Sequence, residues 1–212
     1  MATPITWSGV SVAMQSAIAA TATITAITKA NPGVVTATNT LVNGDYVYLS
    51  VLGMSQLNGV VARVSAASGT GFTLEGVDTT AFDTFASGTF QKLTLGNTIA
   101  TMTTISSSGG DFDFIDTTTI HDLVKTQIPG TSSAIAYTFD NIWDPSDAGF
   151  VAMKAASDIK AQRAFLFTWP NGKKMVFSGF VGASGAPGGS AQALVTTQAT
   201  ITAFGRPVYY NS

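Results

Sequence analysis

Apolar and polar positions change period twice between Ile135 and Gly182, and the rest of the chain is organised around that stretch. In Ile135-Ala136-Tyr137-Thr138-Phe139-Asp140-Asn141-Ile142 large apolar side chains fall on every second residue, the period of a half-buried strand. Asp144-Pro145-Ser146-Asp147 then predicts a helix from about residue 145 to about 159. In this reading Asp144 is the N-cap, Pro145 takes the first helical position, and Asp147 favours the positive end of the helix dipole. Phe150, Met153 and Ala156, flanked by Val151 and Ile159, give that helix an apolar stripe. Arg163 to Trp169 returns to strand, Pro170-Asn171-Gly172 makes a turn, and Lys173 to Val181 is the hairpin partner. The pattern predicts a sheet with one helix laid against it.

Towards the N-terminus, Ile5 to Met14 is strand-like with Trp7 as its large anchor, and the Ala-rich Gln15 to Ala22 fits a short helix or a linker. From Thr23 to Leu93 short β-branched runs alternate with Gly-containing turns: Thr23–Ile27, Val34–Ala37, Tyr46–Val51, Val60–Val64 and Phe72–Leu74. Strands at this spacing, with turn signals at Asn43-Gly44-Asp45 and Leu57-Asn58-Gly59, predict a compact small barrel. Thr94 to Ile105 is strand-like again and ends at the breaker Ser106-Ser107-Ser108-Gly109-Gly110. Near the end, Gly179 to Ser190 reads as a flexible connection and Gln192 to Phe204 as a late strand.

Composition narrows the function. The 212 residues are 45% hydrophobic but only 10% charged, against about 25% charged in an average soluble domain. Thr, Ser, Ala and Gly fill the difference, which points to a mainly β protein whose surface is covered by copies of itself. A net charge of −2 gives no basis for wrapping nucleic acid through its phosphates. Without cysteine there are no disulfides, thiolate metal sites or cysteine nucleophiles. No apolar run reaches the roughly 18 residues of a membrane span, so no membrane binding is expected. The opening Met1-Ala2-Thr3-Pro4 lacks the basic region of a signal peptide, so a cytoplasmically made protein that retains its N-terminus is expected.

Two stretches resemble known families. Ala30-Asn31-Pro32-Gly33-Val34-Val35-Thr36-Ala37-Thr38, Asn43-Gly44-Asp45-Tyr46-Val47, Gly53-Met54-Ser55-Gln56-Leu57-Asn58-Gly59 and Phe72-Thr73-Leu74-Glu75-Gly76-Val77-Asp78 resemble a small β-domain. That domain is named after the first catalytic-cysteine half-domain of the ubiquitin-activating enzyme and recurs in phage proteins. With no cysteine here, the resemblance implies a shared fold and no ubiquitin chemistry. The second stretch begins at Asp111-Phe112-Asp113-Phe114-Ile115-Asp116-Thr117-Thr118-Thr119-Ile120-His121-Asp122 and continues through Gln127-Ile128-Pro129-Gly130. With the strand, Asp-Pro-preceded helix, hairpin and late strand that follow, it resembles the major tail tube proteins of long-tailed phages from Phe112 to about Phe204. That resemblance implies a β-sandwich or barrel with one flanking helix, formed by residues 1–22 and 94–212. Residues 23–93 would then be an inserted small β-barrel-like domain on the tube exterior.

Catalytic and ligand chemistry finds little support. Asp111, Asp113, Asp116 and Asp122 have the oxygen ligands of a hard-cation site. But apolar residues interleave them, Asp111 and Asp113 share one strand face with Asp116 on the other, and no EF-hand spacing is present. A solvated or interface-facing acidic edge is the stronger reading. His121, the single histidine, has no nucleophile elbow to serve. Gly179, Gly182 and Gly185 lack the Gly-Lys-Ser/Thr of a phosphate loop. No catalytic, cofactor or metal site is therefore expected. Trp7, Trp143 and Trp169 are read as core or interface anchors. Phe150, Arg163, Lys173, Tyr209 and Tyr210 complete the subunit-interface candidates, with Tyr209 and Tyr210 on a C-terminal docking arm.

The expectation from the resemblance is a virion structural protein, located in the tail, whose copies stack as hexameric rings into a tube for DNA ejection. Its ring-stacking loop spans Ser106–Gly130, a polar, breaker-flanked stretch, with Asp111, Asp113, Asp116, Thr118, His121, Asp122 and Lys125 as contact candidates. Its partners would be itself, a tape measure protein and then DNA in the lumen, and terminator and distal tail proteins at the ends. The tube part carries seven Lys/Arg against eight Asp, which predicts a neutral or acidic lumen. The alternatives are a capsid decoration or tail-completion protein, or a carbohydrate- or host-surface-binding β-module.

Overall fold

The structure, a computed structural model, describes residues 4–211. Met1-Ala2-Thr3, the expected retained start, and Ser212 lie outside them. The strands are β1 (Ser11–Ile18), β2 (Ala22–Ile24), β3 (Ala26–Ile27), β4 (Val34–Thr36), β5 (Tyr46–Leu52), β6 (Val61–Ser68), β7 (Gly71–Leu74), β8 (Ser87–Thr98) and β9 (Met102–Ser108). There follow β10 (Phe112–Asp116), β11 (Gln127–Ser132), β12 (Ala136–Ile142), helix α1 (Ala148–Asp158), β13 (Gln162–Thr168), β14 (Lys174–Ala183), β15 (Thr196–Ala203) and β16 (Val208–Tyr210). The protein is mainly β, and every strand pairing is antiparallel.

Three sequence expectations need correction. The N-terminal strand is Ser11–Ile18, so Trp7 precedes it and the Ala-rich stretch from Gln15 to Ile18 is strand rather than helix or linker. Strand β13 takes Ser11–Met14 while Gln15 to Ile18 pairs with β8, and this sheet pairing overrides the weak local preference of small residues. The helix starts at Ala148, with Asp147 as N-cap: its carboxylate accepts the Phe150 N–H at 2.8 Å. Asp144 instead accepts the Ser146 N–H and hydroxyl in the turn before it. The strand read as beginning at Thr94 is the second half of β8, which passes through the 93/94 boundary without a break.

Twelve strands form one path, β3-β4-β7-β6-β5-β8-β1-β13-β14-β15-β12-β9, with β2 joined to β8 and β16 to β14. Two apolar clusters lie along it. One gathers Val12, Met14, Tyr137, Phe139, Phe165, Phe167, Phe177 and Ile201 under α1, which contributes Met153 and Ala156. The other fills the segment from Ile24 to Leu93 and draws in Ala164, Val176, Val208 and Tyr210. Strands β13 and β14 therefore serve both clusters, with Phe165 and Phe167 on one face and Ala164 on the other. This is why their sequences are almost continuously apolar instead of alternating. Gly149 has no room for a Cβ against the Thr98 carbonyl, so the glycine sets how closely α1 approaches the end of β8.

Polar links join the two clusters. The buried Ser178 hydroxyl donates to the Gly59 carbonyl at 2.6 Å and accepts from the Gln162 amide. The Tyr210 hydroxyl accepts the Arg63 backbone N–H at 2.7 Å, and the Arg63 guanidinium lies over the Tyr210 ring while forking onto Glu75. The C-terminal strand is thus tied to the 23–93 segment by a buried phenol.

Candidate functional site

The hairpin between β9 and β12 is built differently from the rest. Gly109 and Gly110 both have positive φ, +82° and +86°, and a Cβ at Gly109 would run into the Ala134 carbonyl. Only glycine turns the chain out of the main sheet there. Among the described residues strands β10 and β11 pair only with each other, Ile115 opposite Ile128 and Phe114 opposite Pro129. Such a lone ribbon tolerates Pro129, whose missing N–H costs no ladder bond in a larger sheet.

Every residue from Ser106 to Pro129 is exposed. All seven loop candidates are therefore brought together on one projecting hairpin. Asp116 accepts the Thr118 backbone N–H at 2.9 Å and meets Lys125 at 3.3 Å. The Thr118 side chain foremost, then its N–H and Lys125, hold the Asp116 carboxyl below the usual range. Asp122 is held low in the same way, first by the Thr119 N–H and then by its hydroxyl. The His121 N–H reaches the Thr119 hydroxyl at 3.4 Å. The carboxylates thus close local turns. Among the described residues no group of three or more acidic or histidine side chains gathers as a metal site.

The stretch read as polar presents something else. Phe112, Phe114, Ile115, Ile120, Leu123, Val124 and Ile128 are each between 52% and 101% exposed. At roughly 150–200 Å² per large side chain, the exposed apolar area is on the order of 800 Å². Spread over both faces of the ribbon and its loop, that area is comparable to one partner's share of a standard interface. Sequence reasoning does not single out these residues, because acidic and Thr residues stand between them. The signal was there: alternating Phe residues on a segment flanked by glycine breakers.

The eight interface candidates divide. Trp7 is half exposed and packs on Trp169, with ring centroids 5.6 Å apart. Trp143 donates its indole N–H to the Gly185 carbonyl and keeps a partly exposed ring. Arg163 is partly exposed, and Lys173 and Tyr209 are exposed. Phe150 and Tyr210, by contrast, are buried within the chain, at 7% and 4% exposure, under the Gly185 connection and against Arg63. Desolvation pushes the Tyr210 phenol up and the Tyr137 phenol up to about 12, so both stay protonated fillers of the core.

Two further surfaces are distinctive. The outward positions of β9, β12 and β15 form a hydroxyl face in which Thr104 and Gln198 bond Asp140 and Thr138 meets Thr200. None of these three strands contains Lys or Arg. A groove of about 530 Å³ lies between β1, the end of β8 and the start of β9. Its lining includes Trp7, Val10, Val12, Ile99, Met102 and Ile105, and no charged side chain. No described helix is long and apolar enough to cross a membrane.

Comparison with known proteins gives one clear result. The model of a family described as "Phage tail tube protein, TTP" matches residues 52–212, about three quarters of the chain, and begins inside the 23–93 segment. No curated protein gives a significant match. Among solved structures the chain is similar to one from the tail of an empty GTA particle, computed with helical refinement and C6 symmetry. The identity is 13% and the TM-score 0.41, over 53% of this chain and 84% of that one. A likeness so slight adds nothing to the family match.

Proposed function

The chain belongs to the phage tail tube protein family, and from that premise we propose that its copies close into rings of six that stack into a continuous tube. Its role is that of a structural protein of the virion tail, and no bond-making step is assigned to it. The observation that carries the assembly reading is the β10–β11 hairpin, whose apolar side chains are left more than half exposed by the described residues of their own chain. Water penalises such a surface in proportion to its area, and other copies of the chain provide the cover.

In this reading the hairpin, with Asp111, Asp113, Asp116, Thr118, His121, Asp122 and Lys125, stacks one ring on the next. The hydroxyl face of β9, β12 and β15 lines the lumen. Its lack of Lys and Arg supports passage of DNA without adhesion, since phosphate contacts are what hold DNA to protein. Residues 23–93 form the inserted domain on the outside, because a conduit for DNA has no room for a domain-sized obstruction. A tape measure protein and then DNA occupy the lumen. Terminator and distal tail proteins close the ends, and assembly takes place in the host cytoplasm.

Deletion of Asp111–Lys125 tests the reading directly. It leaves folded monomers or rings but no long tubes in negative stain. Tubes of normal length from the deleted chain would reject the hairpin's role.

A further inference from the structure

The hairpin needs a receiving surface, and the geometry points to the uncharged groove beside Trp7 as the socket into which the Phe112/Phe114 face of a second copy inserts. This inference rests on the ring-stacking reading above and adds the place where the neighbour is held.

Three observations support the pairing. First, knob and socket lie at opposite ends of one strand. Met102 to Ile105, the start of β9, lines the groove, while Ser108, its last residue, leads into the hairpin. Phe112 and Phe114 lie about 23–30 Å of extended chain beyond Ile105. In their own chain they remain 56% and 62% exposed, so the hairpin does not fill its own groove. A contact between two different patches of the same protein is heterologous, and repeated along one direction it builds a stack. Second, the chemistry matches. The groove offers an apolar floor with Ser and Thr at its rim and no charge to be left unpaired. Phe112 and Phe114 alternate with Asp111 and Asp113, so seating the ring-bearing face leaves the carboxylates directed towards water. Third, the sizes agree. A groove of about 530 Å³ falls in the range that encloses a drug-sized ligand, enough for the two rings. The half-exposed Trp7, steadied against Trp169 and Phe167, provides an aromatic anchor of the kind that dominates interface energetics.

The natural absence of cysteine makes the test clean. A chain carrying Phe114→Cys and Ala100→Cys, with Phe112 left as the knob, is assembled well above the critical concentration for tube growth, oxidised and run on a non-reducing gel. Because Ala100 is an exposed groove residue, the expected result is a ladder of covalent multimers that neither single variant gives. A second variant, Ala100→Glu with Thr103→Glu, changes only exposed positions. It should unfold at the temperature of the unmodified chain yet form no tubes. Absence of the ladder from assembled double-cysteine tubes, or normal tubes from the glutamate variant, overturns the socket. So do dimers from Phe114→Cys alone, which would mean that hairpins meet each other. If the socket fails while deletion of Asp111–Lys125 still abolishes tubes, the ring-stacking reading stands. Tubes from the deleted chain overturn both.

Discussion

Replacing Phe112 and Phe114 by Ser separates folding from assembly. The two side chains are 56% and 62% exposed, and a Phe offers roughly 200 Å², so together they present on the order of 240 Å² to water. At about 25 cal/mol per Å² that is about 6 kcal/mol if all of it is covered in the tube. Interfaces return less than the area implies, because ordering and imperfect contacts oppose association. Half coverage leaves about 3 kcal/mol per junction, which corresponds to a rise of about a hundredfold in the critical concentration for tube growth. Within the monomer the pair belongs to neither buried cluster, so thermal unfolding shifts by no more than about 0.5 kcal/mol. The assay is sedimentation of assembled tubes against total protein, run beside calorimetry of the unassembled chain. An unchanged critical concentration, or a collapse of monomer stability, would refute the reasoning.

Other consequences are more local. Asp147→Ala removes the acceptor for the Phe150 N–H and costs about 1 kcal/mol in urea unfolding; Asp144→Ala, outside the helix, costs less, and the reverse order would contradict the cap assignment. Tyr210→Phe takes the acceptor from the Arg63 backbone N–H and destabilises by about 1–3 kcal/mol, with earlier proteolysis of the freed C-terminal strand as the second readout. Asp116 and Asp122 have lowered carboxyl pKa values. What their ionised forms contribute to the loop is therefore present above the ordinary carboxylate pKa of about 4 and lost as pH falls through the lower folded values. Amide NMR signals of Thr118 and Thr119 should accordingly not respond to either carboxyl between pH 5 and 8 and should shift only in stronger acid.

Much of the fold was legible because burial in it is one-sided. The alternation in Tyr137, Phe139 and Ile201, and the short runs of residues 23–93 punctuated by Asn43-Gly44 and Asn58-Gly59, correspond to strands facing one apolar cluster each. Legibility failed where tertiary pairing outweighed local preference. Gln15 to Ile18 carries no strong strand signal, yet it pairs along β8 after two register shifts, and the Gln15 side chain accepts the Ala164 N–H inside the sheet. The helix start failed because two Asp residues three apart both satisfy the N-cap pattern, and Asp144 was taken by its own turn. On the 106–130 hairpin, proposed above as the stacking surface, the acidic and Thr residues stand out in the sequence, but the apolar side chains carrying most of its exposed area do not. Alternating Phe residues ordinarily signal burial within their own chain, and here the structure leaves them exposed.

The central claim is that this surface is completed by sibling chains, and electron microscopy of the purified protein over a concentration series tests it most directly. The account predicts rings at low concentration and hollow tubes of uniform width at high concentration. A population that stays monomeric at the highest concentration, with the 106–130 hairpin still exposed to protease, would contradict it.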